Sequence, residues 1–244
     1  MSSERSACQQ GLQPAHCTGC HHLDTCDATG RGAEALLGLR QIVQRVALVG
    51  DGEYLYRPMT PFRAIYAVRS GMAKSVALDA SGREQVLDFH LPGEWFGLDA
   101  IGLDHHENAV ISLGRTQFCR FPIDALMALG SREPAVQWHL MQVMARQIRH
   151  RQLRSGDHPS DVRMAAFLID LSDRRAALFL DARHLPLPMQ RTDIANHLQL
   201  APETVSRLLT RFRGQGLIGI DRQGVTLLDG VTLRRLGCQV LEAA

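Results

Sequence analysis

Lysine is nearly missing from this 244-residue chain: Lys74 is the only one among 27 basic residues. Arginine therefore carries almost all the positive charge. Its planar, paired donors suit phosphate and guanine better than a point-charge ammonium does. A strong net charge is missing too. Twenty-five acidic residues leave a formal +2, so any nucleic-acid surface has to be a local patch. No apolar run approaches the ~20 residues of a membrane helix. Met1–Gly11 lacks the apolar stretch of a secretory signal. These absences predict a cytoplasmic protein with no membrane partner. The sequence also carries no internal repeat, no H-E-x-x-H, no P-loop and no nucleophile elbow. A metalloenzyme reading thus has no motif to rest on.

What is present is a globular composition, 45% apolar and 21% charged. Six cysteines in a thiol-reducing compartment point to metal or redox chemistry rather than disulfides. Cys8 and Cys238 are adequately explained as incidental or buried. Cys17, Cys20 and Cys26 form C-x2-C-x5-C on a segment without periodicity. Thiolates are soft ligands, and a short loop brings them together at low entropic cost. A fourth ligand must come from elsewhere, and Cys119 in Phe118-Cys119-Arg120 is the natural candidate. Zinc and iron–sulfur centres both take four cysteines, and spacing does not choose between them. His16, His21 and His22 can also complete a zinc site.

Four segments follow: a cysteine-rich stretch at 1–27, a sensor domain at 28–130, a helix at 131–156 and a second domain at 157–244. Over about 45–128, short apolar runs alternate with turn signals at Gly50-Asp51-Gly52, Ser70-Gly71, Asp79–Gly82, Pro92-Gly93 and Gly114. That spacing predicts an all-β roll or sandwich. Over about 133–154 the period becomes helical, with Val136, Leu140, Met144 and Ile148 at i+4 steps and Met141 and Val143 beside them. A stripe this narrow predicts a dimer seam, with a helix packed on its own domain as the alternative.

In the second domain, Val162–Leu171 reads as helix and His184–Pro188 as a proline-bearing link. Thr192 is a good N-cap for a helix through Leu198. Gln199-Leu200-Ala201 is a short turn, and Pro202 suits the first turn of the next helix. That helix splits into an apolar face, Val205, Leu208, Leu209 and Phe212, and a polar face, Glu203, Ser206 and Arg207. Gly214 and Gly216 end it. Leu217–Ile220 and Val225–Leu228 flank Asp221-Arg222-Gln223-Gly224 as a hairpin. Helix, turn, helix and hairpin make a winged helix-turn-helix, whose second helix enters the major groove. Arg207 suits guanine, Glu203 a cytosine amino group, and Ser206 a base or a phosphate. Arg211 and Arg213 suit phosphates.

The order of cysteine loop, β-roll, long helix and winged helix resembles the catabolite-activator and fumarate–nitrate-reduction regulator superfamily. The cysteine set and the E-x-x-S-R helix resemble its fumarate–nitrate-reduction branch, with support from Ala67–Gly71, Asp88–Gly93 and Gly97–Gly102. The resemblance implies an α+β protein: a cyclic-nucleotide-binding-like β-roll (jelly roll), a long dimerisation helix and a C-terminal winged helix-turn-helix. It implies a [4Fe–4S] cluster on Cys17, Cys20, Cys26 and Cys119 that senses oxygen and governs a homodimer. It implies a palindromic promoter site resembling TTGAT-N4-ATCAA, read by Glu203, Ser206 and Arg207 with Thr192, Arg211 and Arg213 nearby. The dimer interface would comprise Val136, Leu140, Met141, Met144, Ile148 and Arg151. Asp79–Arg83 would contact RNA polymerase. The stretch His105–Val110 lacks the Arg-Ser pair that holds a cyclic nucleotide phosphate, so no cyclic nucleotide is expected. A zinc- or thiol-based redox regulator of the same fold is the alternative.

Overall fold

The computed structural model describes residues 13–14, 37–78, 82–152, 158–178 and 180–241. Cys17, Cys20 and Cys26 lie outside the described residues, as do residues 79–81 of the expected polymerase-contacting loop. The chain divides into two compact units, residues 1–144 and 145–244.

The first unit holds β1 (Gln13–Pro14), α1 (Leu37–Ile42), β2 (Gln44–Arg45), β3 (Tyr54–Tyr56), β4 (Ala64–Leu78), β5 (Glu84–His90), β6 (Trp95–Phe96), β7 (Ala109–Pro122) and α2 (Ile123–Gly130). Helix α3 (Pro134–Gln152) runs across the boundary. The strands pair antiparallel in the order β1-β2-β7-β4-β5, with β3 also on β7 and β6 on β4. This is the expected β-roll. Ser70-Gly71 and Gly114, read from sequence as turns between strands, instead lie inside β4 and β7. The β4–β7 register shifts between Val68 and Ser70 and again between Ser70 and Met72. Gly71 explains the difference. Its φ of 81° admits little but glycine, and a Cβ there would lie 2.7 Å from the Arg115 carbonyl oxygen. The glycine marks a bulge that bends a long strand rather than a turn that ends one.

Helix α3 carries two apolar rows. Val136 and Val143 are buried in a core with Leu39, Ile65, Trp95, Phe121 and Leu126, and Leu140 and Met144 pack partly buried against it. Trp138, Met141 and Ile148 are exposed. At about 100° per residue, the two rows are centred roughly 130° apart around the helix.

The second unit holds α4 (Ser160–Ala177), β8 (His184–Pro186), α5 (Arg191–His197), α6 (Pro202–Gly214), β9 (Ile218–Ile220), β10 (Gly224–Leu227) and α7 (Gly230–Leu241). The expected hairpin is β9–β10. The expected link at 184–188 contributes its own strand, so the sheet order is β8-β10-β9. Leu185 is the buried residue of that strand. Helix α7 packs along α4. Contact is close enough that a Cβ on Gly237 would lie 2.8 Å from the Ala166 amide nitrogen.

Candidate nucleic-acid interface and thiolate site

Helix α5 begins at Arg191, because the Gln190 carbonyl accepts from the Asp193 and Ile194 amides at 3.0 and 3.2 Å. Gln190 is therefore the N-cap, and no side chain caps the helix. The sequence placed Thr192 there. It lies instead in the first turn, exposed, with its hydroxyl 3.4 Å from Gln190 Oε1. The turn after α5 is made by Gln199 at φ 53°, a left-handed conformation that is uncommon outside glycine.

Pro202 starts α6, as its fixed φ and missing N–H favour. Val205 and Phe212 are fully buried, and Leu208 and Leu209 nearly so. Glu203, Ser206, Arg207, Arg211 and Arg213 are exposed. The two faces expected from the sequence are thus the two faces of the helix. Arg207 Nη2 donates to the Thr204 hydroxyl at 3.3 Å, which leans the guanidinium along the helix. The helix closes as the Leu217 amide returns to the Phe212 carbonyl at 3.0 Å. At the wing tip, Asp221 accepts from the Gln223 and Gly224 amides at 2.7 and 2.9 Å. Those two bonds hold its carboxyl below the usual carboxylate range.

Two charged residues of α4 reach α5 and α6, and the sequence reading passed over both. Arg163 is 9% exposed. Its Nη1 donates to the Leu198 carbonyl at 2.7 Å and to that of Gln199 at 3.5 Å. A cation thereby meets the carbonyl end of α5, where the helix dipole is negative. Asp161 accepts from Arg211 Nη2 at 2.9 Å. A lone charge in an apolar helix gives no sequence signal of a partner 35 or 50 residues away.

Cys119 lies on β7, opposite Arg45 of β2 and Ala67 of β4. Gln13 of β1 in turn faces Arg45. The Cys119 side chain is half-buried and packs against the same core cluster as Leu140 and Met144 of α3. Among the described residues, no three His, Cys, Asp or Glu side chains are arranged to hold a metal ion. Of the six residues expected at the dimer seam, Val136 faces its own core and Leu140 and Met144 lean on it. Met141 and Ile148 are exposed, joined by Trp138, which the i+4 count passed over. The Arg151 side chain lies outside what the structure describes.

In the stretch compared with a phosphate-binding Arg-Ser pair, His106 is 2% exposed. Its ring stacks on Tyr56 at 3.9 Å and meets the edge of Phe62 at 5.4 Å. Its Nδ1 is buried without a hydrogen-bond partner among the described residues. Burial holds the imidazole below its ordinary value; the Asp99 charge opposes this and His105 adds to it. An unfolded chain takes up this proton near pH ~6.5, and the folded one only at lower pH. The stability from neutral His106 is thus complete above ~6.5 and is lost as pH falls through the folded value. In thermal melts from pH 7 downward, His106→Phe is expected to flatten part of the acid-side decline. An unchanged slope would show that His106 does not contribute to it.

Comparison with known proteins bears on both units. The Crp-like helix-turn-helix domain matches residues 162–236 and the cyclic nucleotide-binding domain residues 48–133. The chain is 36% identical to the transcriptional activator protein anr of Pseudomonas aeruginosa, covering 96% of this chain and 97% of that one. It is 31% identical to the fumarate nitrate reduction regulatory protein of Klebsiella oxytoca, covering 97% and 96%. Among solved structures, FixK2 of Bradyrhizobium japonicum aligns with a TM-score of 0.71 at 28% identity, covering 80% of this chain and 97% of that one. These relatives are regulators rather than enzymes. Both halves are matched and the likeness runs nearly end to end, so the chain belongs to the Crp/Fnr family of transcription regulators.

Proposed function

We propose that this protein is a cytoplasmic, oxygen-responsive regulator of anaerobic gene expression. It binds a palindrome like TTGAT-N4-ATCAA as a homodimer while Cys17, Cys20, Cys26 and Cys119 hold a [4Fe–4S] cluster. The β1–β2–β7 register carries this reading. Gln13 stands two strands from Cys119, about 10 Å at ordinary strand spacing. Cys17 follows Pro14 by three residues, a reach of up to about 10 Å. The leading cysteines are thus within reach of Cys119, and four soft thiolates are the donor set such a cluster takes. When bound, the cluster supplies an oxygen-labile link between the cysteine segment and the roll. Cys119 shares a packed core with Leu140 and Met144, so strain at β7 reaches the helix whose outer row, Trp138, Met141 and Ile148, is offered to a second copy.

Glu203, Ser206 and Arg207 read each half-site, and Thr192, Arg211 and Arg213 lie beside the phosphates. No cyclic nucleotide is bound, in keeping with an uncharged, buried His106 where a phosphate would need a cation. The loop at 79–83 contacts RNA polymerase.

The test is purification under nitrogen. The expected product is brown, with roughly four irons and acid-labile sulfides per chain, and binds the palindrome until air is admitted. Cys119→Ser is expected to be colourless and to lose air-sensitive binding. A colourless zinc protein, or binding indifferent to air in both forms, overturns the reading in favour of a zinc or thiol regulator.

A further inference from the structure

Two arginines flank the DNA-facing row of α6. At about 100° per residue, Arg211 and Arg213 leave the helix about 80° to either side of Glu203. Their surroundings differ. Arg211 is drawn back to Asp161 on the first turn of α4, at 2.9 Å. Arg213 has no carboxylate partner among the described residues. The Asp161–Arg211 pair is open to water, with the two side chains 32% and 47% exposed. Pairs this exposed contribute little to stability, and α5, α6 and α4 are already joined by Arg163 and the buried face of α6. Asp161 is therefore not needed to hold the fold. It occupies a cation at the edge of a surface that meets phosphates, and it sets a negative charge there.

We infer that Asp161 limits DNA affinity by holding Arg211 away from the phosphate backbone. This rests on α6 being the DNA-reading helix. A phosphate contact of Arg211 must compete with the carboxylate, so each half-site gains one fewer full phosphate contact than its arginines offer. The effect is independent of base sequence, because phosphates position a protein without specifying the site.

The experiment compares wild type, Asp161→Asn, Arg211→Ala and the double variant as full-length proteins under nitrogen. Each is titrated with the palindrome and with a random duplex across a range of salt. Asparagine still accepts from the Val162 amide, as Asp161 does at 3.0 Å, and melting temperature checks that the fold is kept. Asp161→Asn is expected to bind both duplexes about three- to tenfold more tightly at 0.1 M salt. The log–log salt slope should steepen by about 1 per half-site. The ratio of palindrome to random affinity should stay fixed. In the Arg211→Ala background the same substitution should change nothing. Weaker binding by Asp161→Asn would mean that Asp161 aims Arg211 at the DNA, and it overturns the inference. So does no change, or an equal gain in the Arg211→Ala background, which would report only the loss of a negative charge. A wild type that binds neither duplex overturns the DNA-reading assignment itself, and the inference with it.

Discussion

Arg207→Ala is expected to weaken binding to the palindrome by about thirtyfold to twenty-five-thousandfold. A good bidentate contact to guanine discriminates by about 1–3 kcal/mol, and a symmetric dimer makes it twice, about 2–6 kcal/mol in all. Arg207 is exposed on α6 and steadied by Thr204, so removing it leaves the buried face untouched. The melting temperature should hardly move. Affinity for a random duplex should fall far less than affinity for the palindrome, because the lost contact reads a base. Titrations of both duplexes at one fixed salt concentration decide this. Equal losses would assign Arg207 to a phosphate.

Phe212→Ala strikes the other face of the same helix. Phe212 is fully buried, and its carbonyl closes the helix onto Leu217. Truncating a buried phenylalanine costs about 3–5 kcal/mol, against a net stability of about 5–15 kcal/mol for a domain. For a unit of this size, that corresponds to a fall in melting temperature on the order of 15 °C. DNA binding should fail in step with unfolding and recover on cooling below the new transition. A melt displaced by only a degree or two would show that this side chain does not anchor the helix.

The contrast between these variants follows from how fully α6 could be read from sequence. Pro202, the i, i+3, i+4, i+7 apolar residues and the closing glycines are local signals, and local signals were enough. Thr192 shows the limit of that reasoning. Threonine prefers the N-cap, but the Gln190 carbonyl takes the first bonds and moves the start two residues earlier. Ser70-Gly71 and Gly114 show another. A glycine with positive φ serves a bulge as well as a turn, and only the pairing across β4 and β7 separates them.

Strand β8 is three residues long and ends in proline, too short for alternation to register. Helix α7 escaped notice because it carries glycine at 230 and 237. Gly237 is there because α4 passes too close for a side chain. The thiolate site divides in the same way. The spacing of Cys17, Cys20 and Cys26 is visible in one dimension, whereas the place of Cys119, across β2 from β1, depends on a ladder between segments far apart in the chain. Asp161 and Arg163 carry no pattern at all, since their partners are set by tertiary contact alone.

Helix α3 has a consequence in the mathematics of its pitch. Its inward row ends at Met144 and its outward row continues to Ile148. Deleting one residue between those positions would swing Ile148 about 100° around the axis while leaving every residue of the roll's core where it was. On the proposed pairing of the outer row with a second copy, folding of the sensor unit and alignment of the two copies are separable by helix length, with no change to either row's chemistry. On that pairing, a variant of this chain that loses one residue in this span would keep a sound roll yet lose register with its second copy.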